Sequence, residues 1–532
     1  MRQSTRIVLL AAPALLVLVA VSKLVVFAAL TPMWQAPDEP DHSAALATWL
    51  FGQGDDSRSS TGRQPLIFAQ AHDWVSHSLD LLELKGNVGR GGGRPAFTSS
   101  RYGLREASLH DPIPLDGSMV NTSSSTLTYP QLYYWLTAAL TRAILPQSSR
   151  SFLNLLFTAR LTGVLGVVAG TLALYYLALK LTQARPLAFL VALGYLCNGL
   201  FTYLTAVLNP DGPLFAVFII GAGLCAALWI DGRLPWWKWA LLAGLSAAAP
   251  LIKPNGLFFA GCWVAAFGMA IAWRDGLTLR NKSLLMILAI FAAAATVHIA
   301  HTAYKGQPVI HGTPDTMSFL QYLRAIYHPS GPYMVMNLIG QYGWLELDHP
   351  AWLYWLQYVF LLGGTLLFVL RRPTRNGGLT GSRRSAVLLL LASFLFTIAG
   401  AFVYQYFFLL PKVGFVVQGR YFGYGFFTLY LAATLGLAYS LGGRTSKVLL
   451  ALWVSLQVIV PVDGVRLTVQ RFYAPQDWHE LIQRASQYKP SWLKGDALAV
   501  VILVGGLCLF MAWVAGIYLV ARLPKAPPIR PG

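Results

Sequence analysis

The residues best suited to chemistry lie in one short segment, Pro37–His42, which contains three carboxylates and an imidazole. It follows directly on the first hydrophobic stretch, Ile7–Leu30, which is long enough to cross a bilayer. Carboxylates at the boundary between lipid headgroups and hydrocarbon are costly, and their presence indicates a function. The alternative is that Asp38 or Asp41 only caps the next helix.

Composition places this segment in an integral membrane protein. The 532 residues are 56% hydrophobic and 11% charged, with a mean hydropathy of +0.54, whereas soluble domains carry about 25% charged residues. The net charge of +19 resides largely in short loops between apolar runs. That pattern favours membrane lipids and lipid phosphates as partners and argues against nucleic acid. All four cysteines lie in apolar stretches, so no disulfide framework is indicated.

Thirteen apolar runs are candidate membrane spans, at 7–30, 129–145, 156–179, 187–208, 213–230, 238–251, 256–273, 283–303, 351–370, 386–410, 421–441, 447–461 and 497–521. The run 129–145 is short and aromatic. If it spans the membrane, the basic loops near Arg185, Arg280 and Arg383 fall on the side opposite Arg2. If it lies along the interface, all of them are cytoplasmic, which the positive-inside rule favours.

The sequence therefore predicts an all-α polytopic integral membrane protein with about twelve transmembrane helices and both termini cytoplasmic. The predicted parts are a first span at 1–30, a large outer loop at 31–155 that carries the interfacial helix, spans within 156–303, an outer loop at 304–350, spans within 351–461, an outer loop at 462–496, and a last span with a basic tail at 497–532. The Gly/Arg/Ser-rich stretch 86–101 is predicted to be locally flexible. Polar chemistry is thus expected on the outer face.

A second acidic site is the segment Asn209–Pro213, which contains Asp211. In this topology Asp211 lies at the same membrane depth as Asp38, although a turn with a helix-capping Asp is an equally good interpretation of the segment alone. Lys253 and Arg420 lie at further outer turns, where a cation suits a phosphate. The alternative for each of these two cations is snorkelling to phospholipid headgroups.

Several motifs in order then carry a resemblance: Trp34–Glu39, Tyr129–Tyr134, Arg160 and Asn209–Asp211. The series resembles the GT-C superfamily of polytopic glycosyltransferases. The chain looks most like a group of predicted bacterial membrane proteins of unassigned function, with PDEPxH-, GWLE- and QGRY-type motifs. It is similar, more distantly, to lipid A aminoarabinose transferases and protein mannosyltransferases. Some relatives have a Lys just before the Tyr129 motif, where this chain has Thr128.

The resemblance implies transfer of a sugar from a polyprenyl-phosphate donor to a glycan, lipid or protein acceptor of the cell envelope. The transfer would take place, with inversion, at the outer face of the bacterial inner membrane. The catalytic residues it implies are Asp38, as general base, with Glu39 and Asp211. The expected substrate-binding residues are His42, Tyr129, Lys253, Arg420 and Tyr421.

Two further questions stay open at this stage. The residues establish no cofactor, and Asp38 and Asp211 are the candidate ligands if a divalent cation such as Mg²⁺ or Mn²⁺ takes part. The alternative functions are a lipid-linked glycan transporter or flippase and a polysaccharide polymerase. A transporter would place its charged residues near mid-span, whereas these lie at the ends of spans.

Overall fold

The structure is a computed structural model of the chain. It describes residues 3–36, 38–51, 61–68, 106–113, 119–123, 129–276, 282–304, 317–342, 347–370, 379, 381–409, 419–441 and 443–523. The stretch 86–101 that was predicted to be flexible lies outside these ranges, as do the basic loop at 371–378 and the tail from 524 onward.

Apolar segments bounded by Gly, Pro and charged residues form the helices. In chain order these are α1 Gln3–Leu30, α2 Glu39–Leu50, α3 Leu132–Ile144, α4 Phe152–Leu161, α5 Gly163–Thr182, α6 Arg185–Leu196, α7 Gly199–Ala206, α8 Asp211–Asp231, α9 Trp236–Ile252, α10 Ala265–Asp275, α11 Lys282–Tyr304, α12 Phe319–Ile339, α13 Ala351–Leu370, α14 Gly381–Tyr404, α15 Phe427–Tyr439, α16 Gly443–Phe472, α17 Trp478–Ala485 and α18 Asp496–Ala521. The predicted all-helical polytopic class is confirmed.

Within the described residues, eight helices are long and apolar enough to span a membrane, or nine if the bent pair α6–α7 forms one span. Three predicted spans correspond to shorter elements: α9 with 17 residues, α15 with 13, and the apolar part of α11 at Leu285–Ala300. The count of about twelve stays a prediction. The hydropathy pattern predicts longer helices than are found, because a turn can end a helix inside an apolar run without changing the hydropathy.

The helix α3 occupies the doubtful run 129–145. Its 13 residues reach about 20 Å, less than the ~30 Å of a bilayer core. One side packs on the protein through Tyr134 and Thr141, while Trp135 and Ile144 are exposed. The length and two-sided pattern suit a helix lying along an interface, which remains a prediction for this segment.

The bend between α6 and α7 is stabilised by hydrogen bonds from buried polar side chains. Asn198 caps α7 by accepting from the Phe201 N–H at 3.0 Å, and its amide donates to the Leu338 carbonyl at 2.7 Å. The buried Lys23 of α1 donates to the Leu196 carbonyl at the end of α6. Backbone groups freed by a break must find such partners inside a membrane, so Lys23 has a structural task here.

Two small antiparallel sheets lie outside the candidate spans. The strand β1 (Thr61–Pro65) pairs with β2 (Met119–Ser123), and β3 (Gln341–Tyr342) pairs with β4 (Leu347–Asp348). The predicted outer loops also contain helices, since α12 lies within 304–350 and α16 continues to Phe472 before α17 begins. The loops therefore have more regular structure than their polarity indicated.

One end of the helix bundle gathers the polar segments, and we call it the site end. Tyr473 after α16 donates to the Leu30 carbonyl at 2.8 Å, and Tyr203 of α7 donates to the Gln35 carbonyl at 3.1 Å. At the opposite end, Lys180 pairs with Asp231. That end also carries Arg274, Arg384 and Lys447, each bonded to a backbone carbonyl.

Candidate active site

The link between α1 and α2 sets the direction of the first acidic residues. Trp34 and Asp38 both have left-handed backbones, with φ of 58° and 60°. Asp tolerates this conformation better than most residues because its short polar side chain bonds locally. The helix α2 begins at Glu39, immediately after the turn. The neighbouring carboxylates of Asp38 and Glu39 consequently have different partners.

Glu39 forms a completely buried ion pair with Arg160 of α4, which we call the closed pair. Arg160 donates to both Glu39 oxygens at 2.7 and 2.6 Å, and its other N–H groups bond the carbonyls of Ala28, Thr31 and Pro32. The Glu39 oxygens also accept from the backbone N–H groups of Trp34 and Leu208. All five Arg donors are used, and neither side chain is exposed.

Asp38 pairs instead with Arg420, and we call this the open pair. The Nη2 of Arg420 donates to Asp38 Oδ2 at 2.5 Å, and the Asp38 side chain is 41% exposed. The Nε and Nη1 of Arg420 are buried and have no partner among the described residues. Burial opposes ionisation of Asp38, but the Arg420 and His42 side chains outweigh it and lower the pKa of the carboxyl to about 2.

Asp211 begins α8 and holds the second cation. Lys253 Nζ donates to Asp211 Oδ1 at 2.7 Å, and the Tyr424 hydroxyl donates to the same oxygen at 2.5 Å. Both members of the ion pair are buried. Lys253 is presented by a tight turn after α9 in which a Cβ on Gly256 would lie 2.0 Å from the Ala249 carbonyl oxygen. Asp211 Oδ2 has no partner among the described residues.

An aromatic ring joins the two ion pairs. The Tyr421 ring centroid lies 5.4 Å from Lys253 Nζ and 5.4 Å from the central guanidinium carbon of Arg420, which are cation–π distances. The open pair and the Asp211–Lys253 pair therefore belong to one cluster at the site end. It combines two carboxylates with two cations.

His42 completes the cluster as a neutral group. Its Nδ1 lies 2.7 Å from the Tyr134 hydroxyl, and its ring centroid lies 6.5 Å from that of Tyr129. Burial, together with the charges of Lys253 and Arg420, lowers the pKa of His42 to about 3 despite the opposing effect of Asp38. Burial likewise raises the pKa of the Tyr129 hydroxyl. Near neutral pH His42 thus carries no charge.

The structure brings seven of the eight predicted site residues into this cluster: Asp38, His42, Tyr129, Asp211, Lys253, Arg420 and Tyr421. The eighth, Glu39, lies in the closed pair, with its four hydrogen bonds made inside the protein. These bonds fix the position of the first loop, and the catalytic role expected of Glu39 stays a prediction.

Sequence reasoning gave no role to Tyr424, Asn209 or Asn337. Asn209 was visible in the Asn-Pro-Asp motif, and its side-chain oxygen accepts from the Asp211 N–H at 2.9 Å. Tyr424 follows the Arg420 motif by one turn. Asn337 carried no signal, because α12 was predicted to be loop.

Asp38, Asp211 and the other described residues around them do not form a divalent-cation site. Asp38 and Asp211 each have a cation as direct partner, and no group of three or more His, Cys, Asp or Glu side chains suited to a metal occurs in the described part of the chain. A Mg²⁺ or Mn²⁺ ion needs several oxygen ligands that are not already neutralised.

One protein family matches most of this chain. The model of a family described as predicted membrane protein (DUF2142) matches residues 22–423. The chain belongs to this family. The likeness inferred from the sequence motifs is thereby confirmed, and so is the membrane character of the DUF2142 chain.

Comparison with solved structures gives matches of low identity and low TM-score. ArnT from Cupriavidus metallidurans in the apo state aligns over 74% of this chain and 66% of its own, at 12% identity and a TM-score of 0.37. The same protein bound to undecaprenyl phosphate aligns over 84% and 76%, also at 12% and 0.37.

The archaeal oligosaccharyltransferase AglB from Archaeoglobus fulgidus, in complex with an inhibitory peptide and a dolichol-phosphate, aligns over 76% of this chain at 12% identity and a TM-score of 0.34. The DUF2142 chain spans 49% of that AglB chain and 66% of the apo ArnT chain, which is less than two thirds of the length of each. Among curated protein sequences, none matches this chain.

Proposed function

We propose that the protein is a membrane glycosyltransferase that moves a sugar from a polyprenyl-phosphate donor to a hydroxyl of an envelope acceptor. The observation that carries the proposal is the open pair. A carboxylate suited to accepting a proton is held by a guanidinium whose Nε and Nη1 are buried and have no partner among the described residues. Buried donors without partners are costly unless a ligand completes them.

The donor phosphate is the group that fits these cations. Phosphate oxygens accept hydrogen bonds from the free Nε and Nη1 of Arg420, and Lys253 adds a second positive charge beside the Tyr421 ring. As the sugar leaves, negative charge develops on the phosphate, and two fixed cations stabilise it in a site of low polarity. The polyprenyl tail lies on apolar helix surfaces of the bundle.

Asp38 is the general base of the proposed reaction. The acceptor oxygen attacks the anomeric carbon while the bond from that carbon to the phosphate oxygen breaks. The electron pair of that bond goes to the phosphate, and the acceptor proton goes to Asp38. A single displacement of this kind inverts the anomeric carbon. Asp211 positions Lys253, and its free Oδ2 is available to a hydroxyl of the acceptor.

Donor binding also activates the base. A carboxyl held by Arg420 at a pKa of about 2 is ionised but weakly basic. When the donor phosphate binds the Arg420 guanidinium, its negative charge weakens the positive field that Asp38 experiences. The pKa of Asp38 therefore rises. The base therefore becomes stronger only with donor in place, which protects the site from unproductive proton transfer.

The proposed orientation follows from charge. Lys180, Arg274 and Lys447 lie at the end opposite the cluster, and basic ends face the cytoplasm. The site end then faces outward from a bacterial inner membrane, with both termini cytoplasmic, where lipid-linked sugars and envelope acceptors meet.

Mass spectrometry of envelope glycans and lipids tests the proposal. We expect deletion of the gene to remove a sugar-bearing component, and wild-type protein to restore it. Asp38→Asn is expected not to restore it, whereas the matched control Asp231→Asn, an exposed Asp at the opposite end, is expected to restore it fully. Restoration by Asp38→Asn at equal membrane level, or an unchanged envelope after deletion, would contradict the proposal.

A further inference from the structure

A buried amide next to the Arg420 turn is unused by the function proposed above. Asn337 lies near the end of α12 and is 2% exposed. Neither its Nδ2 nor its Oδ1 has a hydrogen-bond partner in the part of the chain that the structure describes. Leaving a whole amide unpartnered is unfavourable, and an apolar side chain would serve better if the position only filled space.

The backbone places this amide against the phosphate-binding turn. A Cβ on Gly419 would lie 2.2 Å from the Met334 carbonyl oxygen, 3.0 Å from Asn337 Cβ and 3.1 Å from its Oδ1. Glycine at 419 therefore permits α12 to contact the residue that precedes Arg420. A larger residue at 419 would push α12 away from this turn.

The end of α12 is also firmly held. The Asn198 amide donates to the Leu338 carbonyl at 2.7 Å, and the Tyr354 hydroxyl donates to the Gly340 carbonyl at 2.8 Å. These anchors lie on the residue after Asn337 and at the C-cap of the helix. Asn337 thus sits on a rigid support, as a recognition residue requires.

The Asn337 amide and the Arg420 guanidinium suit different ligands, because the amide both donates and accepts hydrogen bonds. Arg only donates hydrogen bonds, which suits phosphate oxygens that only accept. Asn337 offers donors and an acceptor, both unused. A sugar hydroxyl also donates and accepts, so it satisfies both halves of the amide, whereas a phosphate satisfies one half and leaves Oδ1 unpartnered.

We propose that Asn337 recognises a hydroxyl of the donor sugar while Arg420 binds the phosphate to which that sugar is attached. The inference rests on the proposed function and deepens it. It divides the donor site into a phosphate part at Arg420 and a sugar part at Asn337, and it makes Asn337 a specificity residue without a part in proton transfer.

Binding of two lipids to the full-length protein in nanodiscs tests this division. The probes are undecaprenyl phosphate without a sugar and a panel of undecaprenyl-phosphate hexoses, from which the tightest wild-type ligand is chosen. We expect Asn337→Leu to weaken binding of that sugar lipid by roughly 10- to 100-fold and to leave binding of the sugar-free lipid unchanged. Arg420→Gln is expected to weaken both.

The matched control is Asn198→Leu, the same substitution at an equally buried Asn whose hydrogen bonds are all internal. It is expected to lower the melting temperature without changing the ratio of the two affinities, whereas Asn337→Leu is expected to keep or raise the melting temperature. Should Asn337→Leu fail to accumulate, Asn337→Ser carries the test with the same selective loss.

Loss of both lipids together, loss of neither, or equal wild-type affinity for the two lipids would overturn the sugar assignment. A wild-type chain that binds neither lipid would instead refute the proposed function, and with it the inference.

Discussion

Asp38 and Glu39 are neighbours in the chain, yet their ion pairs differ in solvent exposure and in the number of Arg donors that have a hydrogen-bond partner. The closed pair is unexposed, and all five Arg160 donors are used. The open pair has an Asp38 side chain that is 41% exposed, and the Nε and Nη1 of its Arg420 have no partner within the part of the chain that the structure describes. Both pairs join a carboxylate to a buried guanidinium. Hydrogen-bond saturation is what distinguishes the pair that holds the loop from the pair that can bind a ligand.

Breaking the closed pair has the largest expected effect. Arg160→Met leaves the Glu39 carboxylate buried without its cation, which costs about 3–5 kcal/mol. We expect the variant to accumulate poorly in membranes and to melt well below the wild type. The double variant Glu39→Met with Arg160→Met removes both charges and should recover part of the loss. A single variant with wild-type melting would show that the closed pair does not hold the loop.

Breaking the open pair is expected to affect activity instead of stability. Asp38→Asn removes the proposed base and should lower sugar transfer by about 10²- to 10⁴-fold. Because the Asp38 side chain is partly exposed, the melting temperature should stay near that of the wild type. Transfer rate and melting are measured on the same preparation. A variant that loses stability in proportion to activity would make the open pair structural, like its neighbour.

The pH profile sharpens the comparison further. In the free protein Arg420 holds the Asp38 pKa at about 2, so the acid limb of kcat/KM attributable to Asp38 lies below its ordinary range. With donor phosphate on Arg420 the pKa of Asp38 rises, and the acid limb of kcat moves to higher pH. Arg420→Gln should move the acid limb of kcat/KM to higher pH, so that it coincides with the acid limb of kcat. Arg420→Lys keeps the positive charge and should preserve the difference between the two limbs. Coincident limbs in the wild type would argue against activation by the donor.

The sequence revealed the members of the open pair because charges at the ends of apolar spans stand out. It did not separate Asp38 from Glu39, since their directions depend on one left-handed residue and on Arg160, 121 positions away from Glu39. Span limits were partly visible, but the bend at Asn198 is fixed by Lys23 and by the carbonyl of Leu338, which are remote in the chain. Asn337 was hidden because its environment is created only when α12 meets Gly419.

A buried lysine near the closed pair gives the smallest predicted effect. Lys489 is unexposed, lies 4.9 Å from the Phe157 ring centroid, and its Nζ has no partner among the described residues. Burial and the charge of Arg160 lower the pKa of Lys489 well below its usual value. The unfolded chain binds this proton at neutral pH more readily than the folded one, so the folded state is penalised below the ordinary Lys pKa of about 10.4.

Lys489→Met removes that penalty. We expect the free energy of unfolding to increase by about 1–3 kcal/mol at pH 7. The gain should diminish as the pH rises towards the ordinary Lys pKa, because above that pH Lys489 is neutral in the unfolded chain as well as in the folded one. Melting of the two proteins across this pH range measures it. A destabilised Met variant would mean that Lys489 is charged and contributes to the closed pair, so that the saturation of Glu39 by Arg160 alone would no longer account for how the first loop is held.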